Sequence, residues 1–200
     1  MKNSGPVASR TRARTLPGVP AQGRVMTSEQ ALKLDHVPAS VIVLGGGVIG
    51  VEFASVLRSF GAEVTVVEAL PRLVAAEDEA VSAQLERAFR KRKIAVRTGA
   101  SVETVTQDDS GVRVSLADGQ ALEAELLLVA VGRGPVTEGL GYAEVGVAME
   151  RGFVLADEFC RTNVPGVYAV GDIVPGLQLA HRGGPCARRV RMPRERRRAR

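Results

Sequence analysis

Tryptophan is absent from this 200-residue chain, and tyrosine, histidine and cysteine occur only twice each. The cysteines, Cys160 and Cys186, match no C-x-x-C, metal-ligand or disulfide-framework spacing. A reducing cytoplasm is the simplest setting for them. Long hydrophobic runs are missing too. Around the most apolar segment, the longest stretch without a charged or strongly polar residue is Val41–Val51, 11 residues. A membrane-spanning helix needs about 20, so none is expected. No signal-peptide apolar region follows the basic residues of the N-terminus. Acid is missing from both ends. Residues 1–24 hold Lys2, Arg10, Arg12, Arg14 and Arg24 with no Asp or Glu, and residues 182–200 hold nine arginines against Glu195 alone. Residues 25–181 carry 13 basic and 21 acidic side chains, a net of −8. The formal +5 therefore belongs to the ends, and the body is acidic. With 45% apolar residues in the chain, a core is well supplied.

What is present is concentrated in Val41–Gly50 and Glu68. Val41-Ile42-Val43-Leu44 reads as a strand, Gly45-Gly46-Gly47 as a turn, and Val48-Ile49-Gly50 as the opening of a helix. Val64-Thr65-Val66-Val67 is a second strand, ending at Glu68, 18 residues after Gly50. Gly45, Gly47 and Gly50 form the G-x-G-x-x-G pattern of a dinucleotide site. The first allows a tight turn, the second lets backbone approach a pyrophosphate, and the third lets the helix pack closely on the strand. The helix start offers N–H groups and a positive dipole end to the phosphates. A carboxylate at Glu68 suits two ribose hydroxyls and repels a 2′-phosphate, which favours NAD over NADP. Arg72 is the basic residue near enough to weigh against that choice.

The surrounding pattern is α/β. A helix is expected from about Val48 to Phe60, with Ile49, Phe53, Val56 and Leu57 as its buried stripe and Gly61 as its stop. A second is expected from about Asp78 to Lys91, on Val81, Leu85 and Phe89. Its basic end, Arg90 to Lys93, reads as a solvated helix terminus. Ile94–Val96, Val102–Thr106, Val112–Leu116 and Ala121–Val131 read as strands, with turns at Asp108–Gly111 and Asp118-Gly119. Leu126–Val131 lacks alternation, as a parallel strand covered on both faces would. The expected fold is a Rossmann-type (ββα) dinucleotide-binding domain with an antiparallel meander, followed by a fragment of a second such domain. The expected boundaries are a disordered segment at 1–24, a linker turn at 25–37, the nucleotide domain at 38–150, a second fragment at 151–182 and a disordered arginine-rich tail at 183–200. Thr27 and Gln30 carry a capping-box pattern within the linker.

A later segment, Asn163 to Asp172, reads as a turn feeding a short apolar strand, Val167–Val170, that ends in Gly171-Asp172. The glycine admits a ligand near the backbone; the acid either binds a polyol hydroxyl or caps the next turn. Gly-Val-Ile-Gly-Val-Glu at 47–52, Val-Gly-Arg-Gly-Pro at 131–135, and Val167–Asp172 with Leu179-Ala180-His181 together resemble the flavoprotein disulfide reductases. Within them the sequence is most similar to the bacterial dihydrolipoamide dehydrogenases, over about residues 14–182. The resemblance implies NAD at Gly45, Gly46, Gly47, Val48, Ile49 and Gly50, with Glu68 on the adenosine ribose. It implies Glu52 near the nicotinamide and flavin, against the plainer reading of a first-turn helix acid. It implies Gly132 close to the cofactor and Arg133 ordering the neighbouring loop. For FAD it implies Asp172 beside Gly171 on the ribityl chain and the backbone of Leu179, Ala180 and His181 at the flavin edge, so His181 is no candidate base. It also implies, for the complete enzyme, a homodimer within 2-oxoacid dehydrogenase complexes.

The departures from that pattern matter as much. The family's own N-terminal FAD unit, its C-x-x-x-x-C redox pair and its paired catalytic histidine have no counterpart here; the histidines are His36 and His181. Similarity stops after Arg182. The expectation is a truncated or frame-shifted piece of a longer reductase, with no catalytic residue of its own. A fragment of a transhydrogenase or mercuric reductase is the alternative within the class. A nucleic-acid-binding protein is the alternative outside it, on the strength of the arginine tail. That tail has no aromatics to stack on bases and no recognition fold, so nucleic acid is disfavoured as a partner. A mitochondrial transit peptide is disfavoured by Pro6, Pro17 and Pro20.

Overall fold

The computed structural model describes residues 11–19 and 21–176. The expectations for residues 1–10, for Leu179, Ala180 and His181, and for the tail at 183–200 lie outside them. In chain order the early strands are β1 (Thr11–Ala13), β2 (Val25–Thr27), β3 (Ser40–Leu44), β4 (Glu63–Val67) and β5 (Ala95–Arg97). Then come β6 (Val102–Gln107), β7 (Val112–Leu116), β8 (Ala121–Ala124), β9 (Leu126–Val129), β10 (Arg133–Pro135), β11 (Met149–Glu150) and β12 (Phe153–Val154). The helices among the described residues are α1 (Ser28–Ala31), α2 (Val48–Ser59) and α3 (Glu79–Lys91). They fall into two units. One is Ala13–Gly132; the other joins Thr11 and Arg12 to residues 133–176.

The Ala13–Gly132 unit is built on a parallel sheet in the order β2-β9-β3-β4-β5. β9 is apolar at every position and β3 from Val41 on, because both faces of these strands are covered. Val41 and Val43 of β3, and Leu126 and Leu128 of β9, face one core with Val51, Ala54, Leu57 and Phe89 of the helices. Ile42 and Leu44, and Leu127 and Val129, face a second core with Val112, Val114 and Leu116 of β7. The antiparallel meander β6-β7-β8 closes that second face. β7 alternates as a one-sided strand must: Val112, Val114 and Leu116 are buried, and Arg113 is exposed. The layers are therefore helices, parallel sheet and meander, the expected ββα arrangement.

Three expectations need correction. Residues 25–37 are not only a linker: Val25–Thr27 is the edge strand of the sheet, paired with Leu127–Val129. Residues 11–24 are held where described. Val19 is buried in the second core, and Arg24 donates to the carbonyls of Asp108, Asp109 and Glu125. The unit boundary falls at Gly132 rather than 150. Residues 133–150 belong with residues 151–176 because Val147 shares a core with Val154, Ala169 and Ile173. Backbone pairing of β11 with β12 and the bonds between Asn163 and the 146–148 segment bind the same residues together.

The helix stripe also differs. Val56 is 48% exposed, and the buried line of α2 is Gly50, Val51, Ala54 and Leu57. Gly50 and Ala54 on that line bring the helix axis close to the sheet, and Val51 and Leu57 fill the contact beside them. Val81 of α3 is likewise 50% exposed, while Ser82 and Phe89 face inward. Leu128→Ala should therefore lower the unfolding free energy by about 2–5 kcal/mol. Val81→Ala should stay within about 0.5 kcal/mol. Urea denaturation followed by circular dichroism checks both; equal effects would refute the two-faced burial.

Candidate functional site

The C-terminal ends of β3, β4 and β9 share one edge of the sheet, and the sequence places Gly45, Glu68 and Gly132 just beyond them. Such edges are where open α/β sheets hold ligands. Gly45 turns the chain with φ at +109°, and its N–H donates to Val67 O at 2.8 Å. A Cβ on Gly45 would lie 2.5 Å from Ala130 O, so a side chain is excluded twice over, by conformation and by space. At Gly46 a Cβ would lie 2.5 Å from Leu73 Cδ2 and 3.0 Å from Glu68 Cβ. At Gly50 it would be driven into the Gly45 carbonyl oxygen.

Gly47 is different. It is exposed, caps α2 with φ at −74°, and a Cβ there would meet nothing within 4 Å. Val51 N–H to Gly47 O, 3.0 Å, is the first helical bond of α2, so the N–H groups of Val48, Ile49 and Gly50 precede it. Val48 is 54% exposed beside them and Ile49 is half-buried on the helix-side core. The helix carries no acid in its first turn, so Glu52 is not a first-turn acid. It sits farther along α2 and is exposed.

Glu68 is half-buried, and both carboxylate oxygens accept from backbone. Gly46 N–H donates to Oε2 at 2.5 Å, and Leu70 N–H donates to Oε1 at 2.7 Å. An ionised carboxylate has about four lone-pair sites, so acceptor capacity remains for a hydroxyl donor. Two roles thus meet in one side chain: it fixes the glycine turn and presents negative charge at the strand edge. Arg72, the basic neighbour of Glu68 in the sequence, is turned into its own loop, donating to Ala75 O, Glu77 O and Ser82 Oγ. Sequence reasoning misses Leu70, Leu73 and Val74, which pack or bond around Gly46 and Glu68. Nothing in their residue types distinguishes them from ordinary apolar loop residues.

Gly132 has φ at +116°, is exposed, and has open space where a Cβ would be; its carbonyl accepts from Arg14 N–H at 2.9 Å. Arg133 belongs to the other unit, where its guanidinium donates to Thr11 Oγ1 and Thr11 O, each at 2.7 Å. In that same unit Gly171 has φ at +82°, and Asp172 is half-buried. The expected strand at Val167–Val170 is reduced to one bridge, Tyr168 with Arg161. Tyr168, the bridging residue, and Val167 before it are exposed, and within Val167–Val170 Ala169 alone turns into the core. Leu179 and Ala180 lie outside the described residues. A separate polar cleft of about 780 Å³ opens at the start of β3, at the opposite end of the strands. Arg24 fills part of it and is committed to carbonyls, so it offers no chemistry to the glycine edge.

A family model described as pyridine nucleotide-disulphide oxidoreductase matches residues 7–185. A dihydrolipoyl dehydrogenase of Chlorobaculum parvum is 45% identical over 181 residues, covering 88% of this chain and 39% of that protein. Another, of Bacillus subtilis, is 40% identical over 182 residues, covering 88% and 38%. The chain thus spans about two-fifths of the length of these curated relatives. Among solved structures, LpdA of Mycobacterium tuberculosis superposes with a TM-score of 0.81 at 34% identity, over 90% of this chain and 39% of that one. The HOCl-induced flavoprotein disulfide reductase RclA of Escherichia coli does so at 0.81 and 30% identity, over 90% and 41%.

The glycines should separate by experiment. Gly50→Ala should destabilise the Ala13–Gly132 unit by about 1–3 kcal/mol, because backbone must move to admit the methyl group. Gly47→Ala should cost no more than about 1 kcal/mol, the difference between glycine and alanine at a helix cap. Chemical denaturation of the two variants decides; the reverse order would overturn the assignment of open and closed faces.

Proposed function

The chain belongs to the pyridine nucleotide-disulphide oxidoreductase family, and we propose that its Ala13–Gly132 unit binds NAD(H) as the nucleotide portion of a dihydrolipoyl dehydrogenase-like enzyme. The observation that carries this is the pairing of an open Gly47 face at the start of α2 with a carboxylate, Glu68, fixed on the same strand edge. The residues fit the ligand. The amides of Gly47 to Gly50 hold the pyrophosphate against the helix dipole. Glu68 accepts from the adenosine ribose hydroxyls, and its charge opposes a 2′-phosphate. Gly132 admits the cofactor near backbone, and Glu52 stands toward the nicotinamide. NAD+, when bound, supplies a hydride acceptor; the chain's own part is binding and orientation.

The complete family reaction passes electrons from dihydrolipoamide through a cysteine pair and FAD to NAD+. By the same resemblance the complete enzyme is a cytoplasmic homodimer within 2-oxoacid dehydrogenase complexes. Among the described residues no helix is long and apolar enough to cross a membrane. For FAD the fit is partial. Gly171 and Asp172 suit the ribityl chain, but the described residues of their unit include no helix to face its phosphates. A cofactor of that size needs enclosure to offset the entropy of binding. No step through flavin is assigned to this chain alone.

Calorimetric titration tests the nucleotide reading. The parent chain should bind NADH more tightly than NADPH. Glu68→Ala should weaken NADH by about 1.5–3 kcal/mol, the range for hydrogen bonds to a charged group. A variant that bound NADH as the parent does would remove Glu68 from the ribose. The purified chain should also be colourless and should not reduce NAD+ with dihydrolipoamide. A yellow protein with that activity would overturn the proposal that the chain serves as a nucleotide portion alone.

A further inference from the structure

The segment between β4 and α3 is held by more than a surface connection requires. Val74 takes φ at +42° although it is β-branched, and it is 8% exposed. A β-branched residue in the left-handed region is strained, and such strain persists only where the surroundings over-determine it. The surroundings do so here. Val74 N–H donates to Gly46 O at 2.8 Å, and Val74 O accepts from Glu77 N–H at 2.8 Å. Leu73, fully buried, closes over Gly46, and its N–H donates to Glu86 Oε1 at 3.2 Å. Arg72 spans the strained residue. Its Nη2 donates to Ala75 O at 2.9 Å, and its Nη1 donates to Glu77 O at 2.7 Å and Ser82 Oγ at 2.9 Å. One end of this clip is the bond from Leu70 N–H to the Glu68 carboxylate; the other is anchored on α3 through Ser82.

We infer that Arg72 is a positioning residue of the nucleotide site, whose guanidinium holds the strained Leu70–Glu77 segment in the arrangement that presents the Glu68 carboxylate and the Gly46 amide together. The inference rests on the NAD(H) reading and adds to it a residue that touches no ligand. It also fixes the sign of Arg72's effect on cofactor choice. A guanidinium that bound a 2′-phosphate would favour NADP(H). A guanidinium committed to two carbonyls of its own loop and to Ser82 of α3, and thereby aiming Glu68, favours NAD(H) instead.

The test titrates NADH, NADPH and ADP-ribose into the full chain as parent, Arg72→Ala, Arg72→Lys and Ser82→Ala, with thermal melting followed in parallel. Arg72→Ala is expected to weaken NADH and ADP-ribose alike by about tenfold, the scale of one charge-assisted hydrogen bond. NADPH should change less, so the preference for NADH narrows. Lysine should not rescue, because a single ammonium lacks the fork that reaches past Val74 to Ala75, Glu77 and Ser82 together. Ser82→Ala, which keeps the rest of the clip, should weaken NADH by a smaller factor without lowering the melting temperature. Unchanged NADH affinity in Arg72→Ala, or, where that variant does not fold, in Ser82→Ala, overturns the inference alone. A loss that falls on NADPH more than on NADH overturns it too, making Arg72 a phosphate ligand. A parent that binds no NADH overturns the nucleotide reading and this inference with it.

Discussion

The contact on which the Ala13–Gly132 unit depends is the one between Gly50 and the Gly45 carbonyl. A single methyl group at position 50 would occupy that oxygen's place. Because there is none, α2 starts within van der Waals reach of the turn that precedes it, and its axis lies close against β3. Ala54, fully buried one turn later, continues the same close approach. The consequence is directional: the first amides of α2 are held at the strand edge, beside the open side of Gly47. Packing inside the turn thus decides where polar groups outside it point.

The two-faced burial of the sheet comes from the same geometry. A helix seated this closely covers one face of β3 and β9, and the meander must cover the other. Every residue from Leu126 to Val129 is therefore buried, and the alternation of faces is visible only in which core each side chain joins. Rigidity at the edge comes from that burial. The Ala130 carbonyl stands in the space that a side chain at Gly45 would need, so the end of β9 is itself a wall of the turn.

Much of this is legible in the sequence, for identifiable reasons. Val112–Leu116 reads with its observed limits because alternation on a one-sided strand is a period-2 signal bounded by turn residues. Leu126–Val131 reads as a covered parallel strand because that signal is missing, and the observed strand is Leu126–Val129. β2 escapes a sequence reading because three residues beside a capping pattern carry almost no periodicity. Its strand state comes from pairing with β9, a partner about a hundred residues away in the chain. Val56 misleads because hydrophobicity alone counts toward the expected stripe and smallness does not. Within the site, the glycines and Glu68 carry their chemistry in their residue types. Val74 does not: its left-handed backbone is a product of tertiary contacts, and valine is nearly the last residue one would place there.

The double use of Glu68 has a consequence for how such a site can change. Its carboxylate satisfies the Gly46 and Leu70 amides, and on the NAD(H) reading it also meets the ribose. Replacing it to admit a 2′-phosphate removes the acceptor for the exposed Leu70 amide and for the part-buried Gly46 amide, and a stranded buried donor costs more than the bond it loses. Arg72 cannot compensate as a phosphate ligand while it spans Val74, since its donors already serve Ala75, Glu77 and Ser82. On the NAD(H) reading, cofactor choice and loop structure are therefore one property, not two. A single charge substitution is a poor route from NAD to NADP here. The shift requires a new acceptor for the Gly46 amide and a basic residue from outside the Arg72 clip, acquired together.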